Sequence, residues 1–362
     1  MSKKIVALFL AFMMLFAVVG CSTNDTANNT SNNQEATEET NKTGTTNPEE
    51  SKNTLEGKTL NVVAAFSNKE EVFAKFTEET GIKVNFLDMS SGEVLSRVEA
   101  EGGKPVADLW FGGGVDSFIS AANKGLLEAY ASPEAEKIPA EFKDPEGYWN
   151  GIYLVITGFI VNNDVLTEKS LEAPKAWKDL TDSKYEGEII MSNPAISGTN
   201  YAIVNSLLQS MGNEEGWKYL EGLGKNIPYF GKRGSEPQKK TVAGEYAVGI
   251  TYVDGGIMNL PKEHPVSVIF PEDGIPWVPA SMAIFKNAEN LDTAKAFVDW
   301  ALSVDGQQFI SELNSTIMVR PEVPKPEILG STPLDKLLDV DFNRFGSERD
   351  AVLDIWEKKV AK

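Results

Sequence analysis

The pattern of apolar and polar positions changes character twice along the 362 residues. Ile5 to Gly20 is an uncharged apolar run behind Lys3 and Lys4. It is shorter than the roughly 20 residues a membrane-spanning helix needs and suits an export signal occupying residues 1–21. From Ser22 to Gly57 the chain is dominated by Asn, Thr, Glu and Ser. With almost nothing to bury it cannot offset its ordering entropy, which predicts a disordered linker over 22–57, with a random-coil span of about 33 Å. After residue 57, strand and helix patterns alternate: a strand over 60–65, a helix over 69–80 with Val72, Phe73 and Phe76 at helical spacing before Gly81, a strand over 82–87, a helix over 93–101, and a strand over 107–111 running into three glycines. That order predicts a parallel sheet with right-handed crossovers.

Two uncharged apolar runs, Gly151 to Val161 and Trp277 to Phe285, bracket a second mixed segment. This segment reads as a strand (187–191), two helices (201–211 and 214–223) and a strand (248–252). The expected architecture is α/β and two-lobed, with mixed sheets flanked by helices and a hinge made of two crossing segments. The chain would leave one lobe near Tyr153–Phe159 and return near Val278–Ala283. The corresponding boundaries are 58–158 for the first lobe, 159–277 for the second, and 278–362 for the return, closed by helices over 291–302, 304–313, 334–338 and 348–359.

Open α/β sheets bind ligands beyond the carboxyl ends of their strands, where helix N-termini converge. Three loops fall there, carrying Ser67 and Asn68, then Ser90 and Ser91, then Gly113 and Gly114. Each alone also reads as an ordinary N-cap or turn; the recurrence after three successive strands is the signal. A fourth segment, Ser192 to Asn200, has Pro194 and Gly198 to fix a turn. Its Ser197 and Thr199 hydroxyls and Gly198 and Thr199 amides suit an oxyanion at a helix's positive end, the competing reading being a plain cap. Arg233 offers a bidentate clamp for phosphate, set against a solvated basic turn shared with Lys232. Tyr252 and Asp254 are second-lobe candidates, Asp254 for an amino or hydroxyl group of a solute; a core tyrosine beside a turn aspartate fits equally. Trp110, Trp149 and Trp277 read either as stacking platforms or as core.

Composition removes several function classes. The net charge is −19. Two lysines precede residue 22 and the linker carries seven acids against two bases, which leaves the remainder at −16. An acidic body without a basic stripe argues against nucleic-acid partners. One cysteine, Cys21, and one histidine, His264, exclude an intramolecular disulfide, multi-Cys zinc sites and any metal centre with two imidazoles. His264 sits in a charged, proline-bounded loop, and neither a nucleophile elbow nor a Walker motif is present, so no catalytic residue, metal or cofactor is expected. Adhesion is the other non-enzymatic reading, and it needs no hinge.

Val18-Val19-Gly20-Cys21 resembles the lipobox of bacterial lipoproteins, which implies cleavage before Cys21 and a diacylglycerol on its thiol. Residues 58 to about 345 resemble the type II extracellular solute-binding proteins of ABC importers, near the ferric-iron, phosphonate and sugar-phosphate binders. The phrases ADLWFGGGVDSFISAANKGLL (107–127), SNPAISGTNYAIVNSLL (192–208), GSEPQKKTVAGEYAVGITY (234–252) and WALSVDGQQFI (300–310) carry the resemblance jointly. It implies two lobes closing over a small solute, docking on a permease coupled to an ATPase, a monomer held outside the cell by its lipid, and no chemistry. It also places Ser235 where the family commonly has a ligand-facing hydroxyl. Ferric binders of this group use adjacent tyrosines; here Tyr252 is followed by Val253 and the first loop has no histidine, so a small organic phosphate or phosphonate is the expected solute and iron the alternative.

Overall fold

The computed structural model describes residues 54–361 apart from 103, 105 and 106. The expected export signal, Cys21 and linker residues 22–53 lie outside the described residues. Residues 54–57, assigned to the linker by composition, turn against the edge of the fold: Gly57 donates to the Gly81 carbonyl at 3.0 Å and Leu55 packs on the core.

The chain first builds β1 (Thr59–Ala64), α1 (Lys69–Thr80), β2 (Lys83–Asp88), α2 (Ser91–Ala100), β3 (Leu109–Gly114), α3 (Val115–Asn123), β4 (Leu127–Glu128) and the long β5 (Asn150–Asn162). There follow α4 (Asn163–Glu168), β6 (Ile189–Ser192), α5 (Gly198–Met211), α6 (Asn213–Lys225), β7 (Phe230–Gly231), α7 (Glu236–Val242), β8 (Val248–Val253), α8 (Gly255–Asn259), β9 (Val266–Ile269) and β10 (Trp277–Phe285). The last helices are α9 (Leu291–Leu302), α10 (Val304–Asn314), α11 (Phe342–Ser347) and α12 (Arg349–Lys359).

The strands run in the order β2-β1-β3-β10-β5-β8-β6-β7, with β4 added beside β10 and β9 beside β5. The expected parallel unit is present, β1 pairing β2 and β3 in parallel. At the far end β8, β6 and β7 are also parallel to one another. The two apolar runs become β5 and β10, an antiparallel pair joining these halves. Their near-continuous burial explains the missing alternation, since both faces are covered. β10 bulges at Ala280–Met282, where it changes pairing, and a bulge bends and twists the strand that carries it.

Helix α1 shows how packing locks the first half. Val72, Phe73 and Phe76 are buried, and Gly81 at φ +72° ends the helix in the left-handed conformation that glycine adopts without a Cβ clash. Phe76 meets Phe297 of α9 at 5.0 Å and Phe73 meets Phe111 of β3 at 5.9 Å. Truncating such a ring to Ala costs about 3–5 kcal/mol. The C-terminal region departs from expectation. Residues 334–338 do not form an α-helix: Pro333 starts a single 3-10 turn, Leu334–Lys336, and the Leu338 carbonyl instead accepts from Trp277 Nε1 at 2.9 Å. Helix α11 was not anticipated, and α12 packs Trp356 against Phe230 at 5.3 Å.

Candidate functional site

Six helices begin around one cavity of about 370 Å³. The loops after β1, β2 and β3 start α1, α2 and α3; on the other side the loop after β6 starts α5, and α7 and α8 follow Ser235 and Asp254. Each helix start leaves backbone N–H groups without intrahelical partners, and aligned peptide dipoles add partial positive charge there. The cavity is therefore ringed by helix starts.

Three of these starts touch. Gly113 has φ +95°, and a Cβ built on it would lie 2.6 Å from Ser91 Cβ. A Cβ on Gly198 would collide with Ser91 Oγ and stand 3.0 Å from the Gly114 nitrogen. Only glycine lets the first residues of α2, α3 and α5 approach so closely. Ser90 and Glu93 form a capping box that fixes the start of α2, Ser90 N donating to Glu93 Oε2 at 2.8 Å. Ser197 caps α5, its Oγ accepting from Asn200 N at 3.4 Å and from Asn200 Nδ2 at 3.0 Å, which leaves the hydroxyl proton to be donated. The capping reading of Ser197 and its exposure to the cavity thus hold together.

Charge is unevenly placed along the wall. Asp88 sits between two cations, Lys69 Nζ at 3.5 Å and Arg233 NH1 at 3.4 Å from the same Oδ1. Lys239 lines the cavity as well. Elsewhere on the wall stand Tyr153, Tyr252 and Asp254. Burial pushes the Tyr252 phenol up to about 12, with Asp254 adding to the shift while hydrogen bonds from Ser67 and Gln238 oppose it. Burial also raises Tyr153 and Asp254, the latter against the pull of the Ile257 and Gly256 amides. Asp254 Oδ1 accepts from Ile257 N at 2.9 Å as the cap of α8.

Of the residues singled out in the sequence, Ser67, Ser90, Ser91, Gly113, Gly114, Ser197, Gly198, Thr199, Arg233, Ser235, Tyr252 and Asp254 all line this cavity. Asn68 does not: held at φ +52° before α1, it is exposed and donates to Asn314 Oδ1 at 3.0 Å. The three tryptophans do not line it either. Trp110 stacks on Phe118 at 4.1 Å, Trp149 is buried, and Trp277 packs against Phe342. His264 is exposed in its loop, as expected. Sequence reasoning missed Asp88, Tyr153, Lys239, Asn314 and Thr316 as wall residues. Lys69 had a local signal, standing next to the first loop. Tyr153 was concealed inside an apolar strand, and Asn314 and Thr316 arrive from the far end of α10. Among the described residues no group of three or more His, Cys, Asp or Glu is placed to hold a metal.

Comparison with known proteins gives the same picture. The family described as bacterial extracellular solute-binding protein matches residues 104–342. The periplasmic binding protein AfuA from Actinobacillus pleuropneumoniae, solved with exogenous fructose-6-phosphate bound, is 31% identical with a TM-score of 0.80, covering 84% of this chain and 99% of that one. A Salmonella typhimurium protein carrying the name "Putative 2-aminoethylphosphonate-binding periplasmic protein" is 25% identical over 260 residues, 69% of this chain and 74% of that one. The ferric binding protein from Campylobacter jejuni, 22% identical with a TM-score of 0.71 over 83% of this chain and 98% of that one, shares the fold. A two-lobed α/β fold, a cavity ringed by helix starts and a family match over most of the folded part converge: this chain belongs to the bacterial extracellular solute-binding proteins.

Proposed function

We propose that the chain is the solute receptor of an ABC importer, capturing a small organic phosphate or phosphonate between its lobes and passing it unchanged to a permease driven by an ATPase. The observation that carries this reading is the meeting of the α2, α3 and α5 starts, from opposite walls, at a cavity that also holds Lys69 and Arg233. Charge-assisted hydrogen bonds contribute about 1.5–3 kcal/mol each. Three or four would supply much of the ~8 kcal/mol of a micromolar complex. The solute touches both sides only when the lobes, 58–158 with the return segment and 159–277, are closed about β5 and β10, so binding shifts the population toward the closed form. The relatives named above for fructose-6-phosphate and 2-aminoethylphosphonate support this solute class.

Ferric iron is the second reading. It is favoured by one observation: the phenols of Tyr153 and Tyr252 share the cavity with Asp254. Burial raises both phenols, which makes the phenolates that iron needs harder to form, and Lys69 and Arg233 repel a trivalent cation, so iron ranks second. Thermal-shift measurements against phosphonates, sugar phosphates and ferric citrate separate the two, because a ligand of the native state raises the apparent Tm. Ser197→Ala with Thr199→Val is expected to abolish the shift from a phosphate; a shift from ferric citrate alone would replace this reading with the second.

Among the described residues no helix is long and apolar enough to cross a membrane. Attachment in this proposal is by lipid on Cys21, with the chain monomeric and outside the cell. Two acyl chains anchor stably where one does not. Cys21→Ser is expected to move the protein from the membrane fraction to the soluble one.

A further inference from the structure

Lys69, Arg233 and Lys239 line the cavity, and Asp88 is the counter-charge of the first two. Asp254 lines it as well. Among the described residues no Lys or Arg pairs with its carboxylate, and the hydrogen bonds that it accepts come from the backbone at the start of α8. The Tyr153 and Tyr252 phenols line the cavity with it, and burial first, with Asp254 adding to it, raises both. Phe66 also lines the cavity and meets the Tyr153 ring edge-on at 5.6 Å.

A largely buried carboxylate without a cationic partner is costly, and aromatic faces attract cations. A phosphoryl group placed here is repelled by Asp254. A hydroxyl takes a hydrogen bond from the solute side but leaves the carboxylate charge uncompensated. A primary ammonium supplies both: a charge for Asp254 and three N–H donors for the carboxylate and the two phenolic oxygens.

We propose that the solute is a zwitterion, a small phosphonate or phosphate monoester that carries a primary ammonium at its other end, and that Asp254, with Tyr153, Tyr252 and Phe66 around it, selects the ammonium. This rests on the anion reading of the cavity, since the helix starts and Arg233 must take the phosphoryl end for the ammonium to reach Asp254.

Calorimetric titration of the full chain with a matched pair of probes, 2-aminoethylphosphonate and ethylphosphonate, tests it. The amino compound is expected to bind about 10- to 100-fold more tightly, the range of one charge-assisted hydrogen-bonded pair. Asp254→Asn keeps a side-chain oxygen to cap α8, and in it the ratio of the two affinities is expected to fall to near one. Equal affinities in the unsubstituted protein overturn the proposal while leaving the anion reading intact. So does a preference that survives Asp254→Asn, or fructose-6-phosphate binding more tightly than the amino compound. Binding of neither phosphonate and no sugar phosphate overturns both readings. Should Asp254→Asn fail to fold, the matched pair measured on the unsubstituted protein decides alone.

Discussion

Arg349 Nε donates to Asp116 Oδ2 at 3.1 Å across 233 residues of sequence, both side chains buried. The same guanidinium reaches the Ala195 carbonyl at 3.3 Å and lies over the Tyr201 ring at 5.4 Å. Asp116 is in the first turn of α3, Ala195 precedes α5, and Arg349 opens α12. One cation therefore ties the C-terminal helix to both walls of the cavity, directly behind Gly114 and Gly198. Removing it strands a buried carboxylate whose Oδ1 already has no partner. Arg349→Met is expected to cost about 3–5 kcal/mol in denaturant unfolding, whereas Arg349→Met with Asp116→Leu recovers most of that loss. A double variant no more stable than the single one would show that the pair is not the coupled unit described here.

Gly92 controls how closely the two walls approach. Its amide donates to the Ile196 carbonyl at 3.1 Å, and a Cβ on it would collide with the Ala195 carbonyl oxygen. Its φ is not in the left-handed region, so alanine suits the α2 backbone itself and raises helix propensity by about 0.5–1 kcal/mol. Gly92→Ala is thus expected to leave α2 intact while forcing the Ala195–Ile196 turn away. Solute affinity falls at least tenfold and solution scattering shows a smaller compaction on binding. Unchanged affinity would mean that the turn moves freely.

The strand-and-helix alternation of residues 60–123 and the apolar runs at β5 and β10 were readable because each is set by local periodicity and burial. The helix starts at Ser90, Gly114 and Ser197 were readable for a related reason: capping chemistry and ligand chemistry use the same small and hydroxyl residues. What stayed hidden depends on distance along the chain. Asn314 and Thr316 reach the cavity only from the far end of α10, after β10 and α9 have carried the chain back past β1. Asp88 follows the expected strand with no local mark of its role, which comes from Lys69 and Arg233 on either side of it. Asn68 reads as facing a ligand because it shares the first loop with Ser67, whereas its left-handed backbone turns the side chain toward Asn314.

Tyr252 gives the cavity a measurable alkaline signature. Its phenol is pushed from 10.0 up to about 12 in the folded protein, first by burial and then by Asp254. The folded state keeps this proton where the unfolded chain begins to lose it, so the contribution to stability is complete below pH 10 and is lost as pH rises toward 12. A shift of this size corresponds to roughly 2–3 kcal/mol. Compared with Tyr252→Phe, the unsubstituted protein is expected to lose about that much extra stability across this window. Phenolate absorbance should lose one late-titrating group in the variant. Parallel stability curves for the two proteins would place Tyr252 in water.

Arg233 faces Asp88 with both terminal nitrogens, NH1 at 3.4 Å from Oδ1 and NH2 at 3.5 Å from the backbone carbonyl. The pair is half-exposed and the distances are long, so it contributes no more than about 1 kcal/mol to stability. A guanidinium held so loosely by one carboxylate is free to turn its planar fork toward an incoming phosphoryl group, and lysine keeps the charge but not the fork. Arg233→Lys is therefore expected to leave the Tm of the ligand-free protein nearly unchanged while weakening phosphonate binding about tenfold, the equivalent of ~1.4 kcal/mol. Arg233→Ala should also slow association and flatten its dependence on salt, because a rim charge steers the anion before contact. Titrations and stopped-flow measurements at low and high ionic strength resolve the two effects; equal affinities for the lysine variant and the parent would assign Arg233 to steering alone.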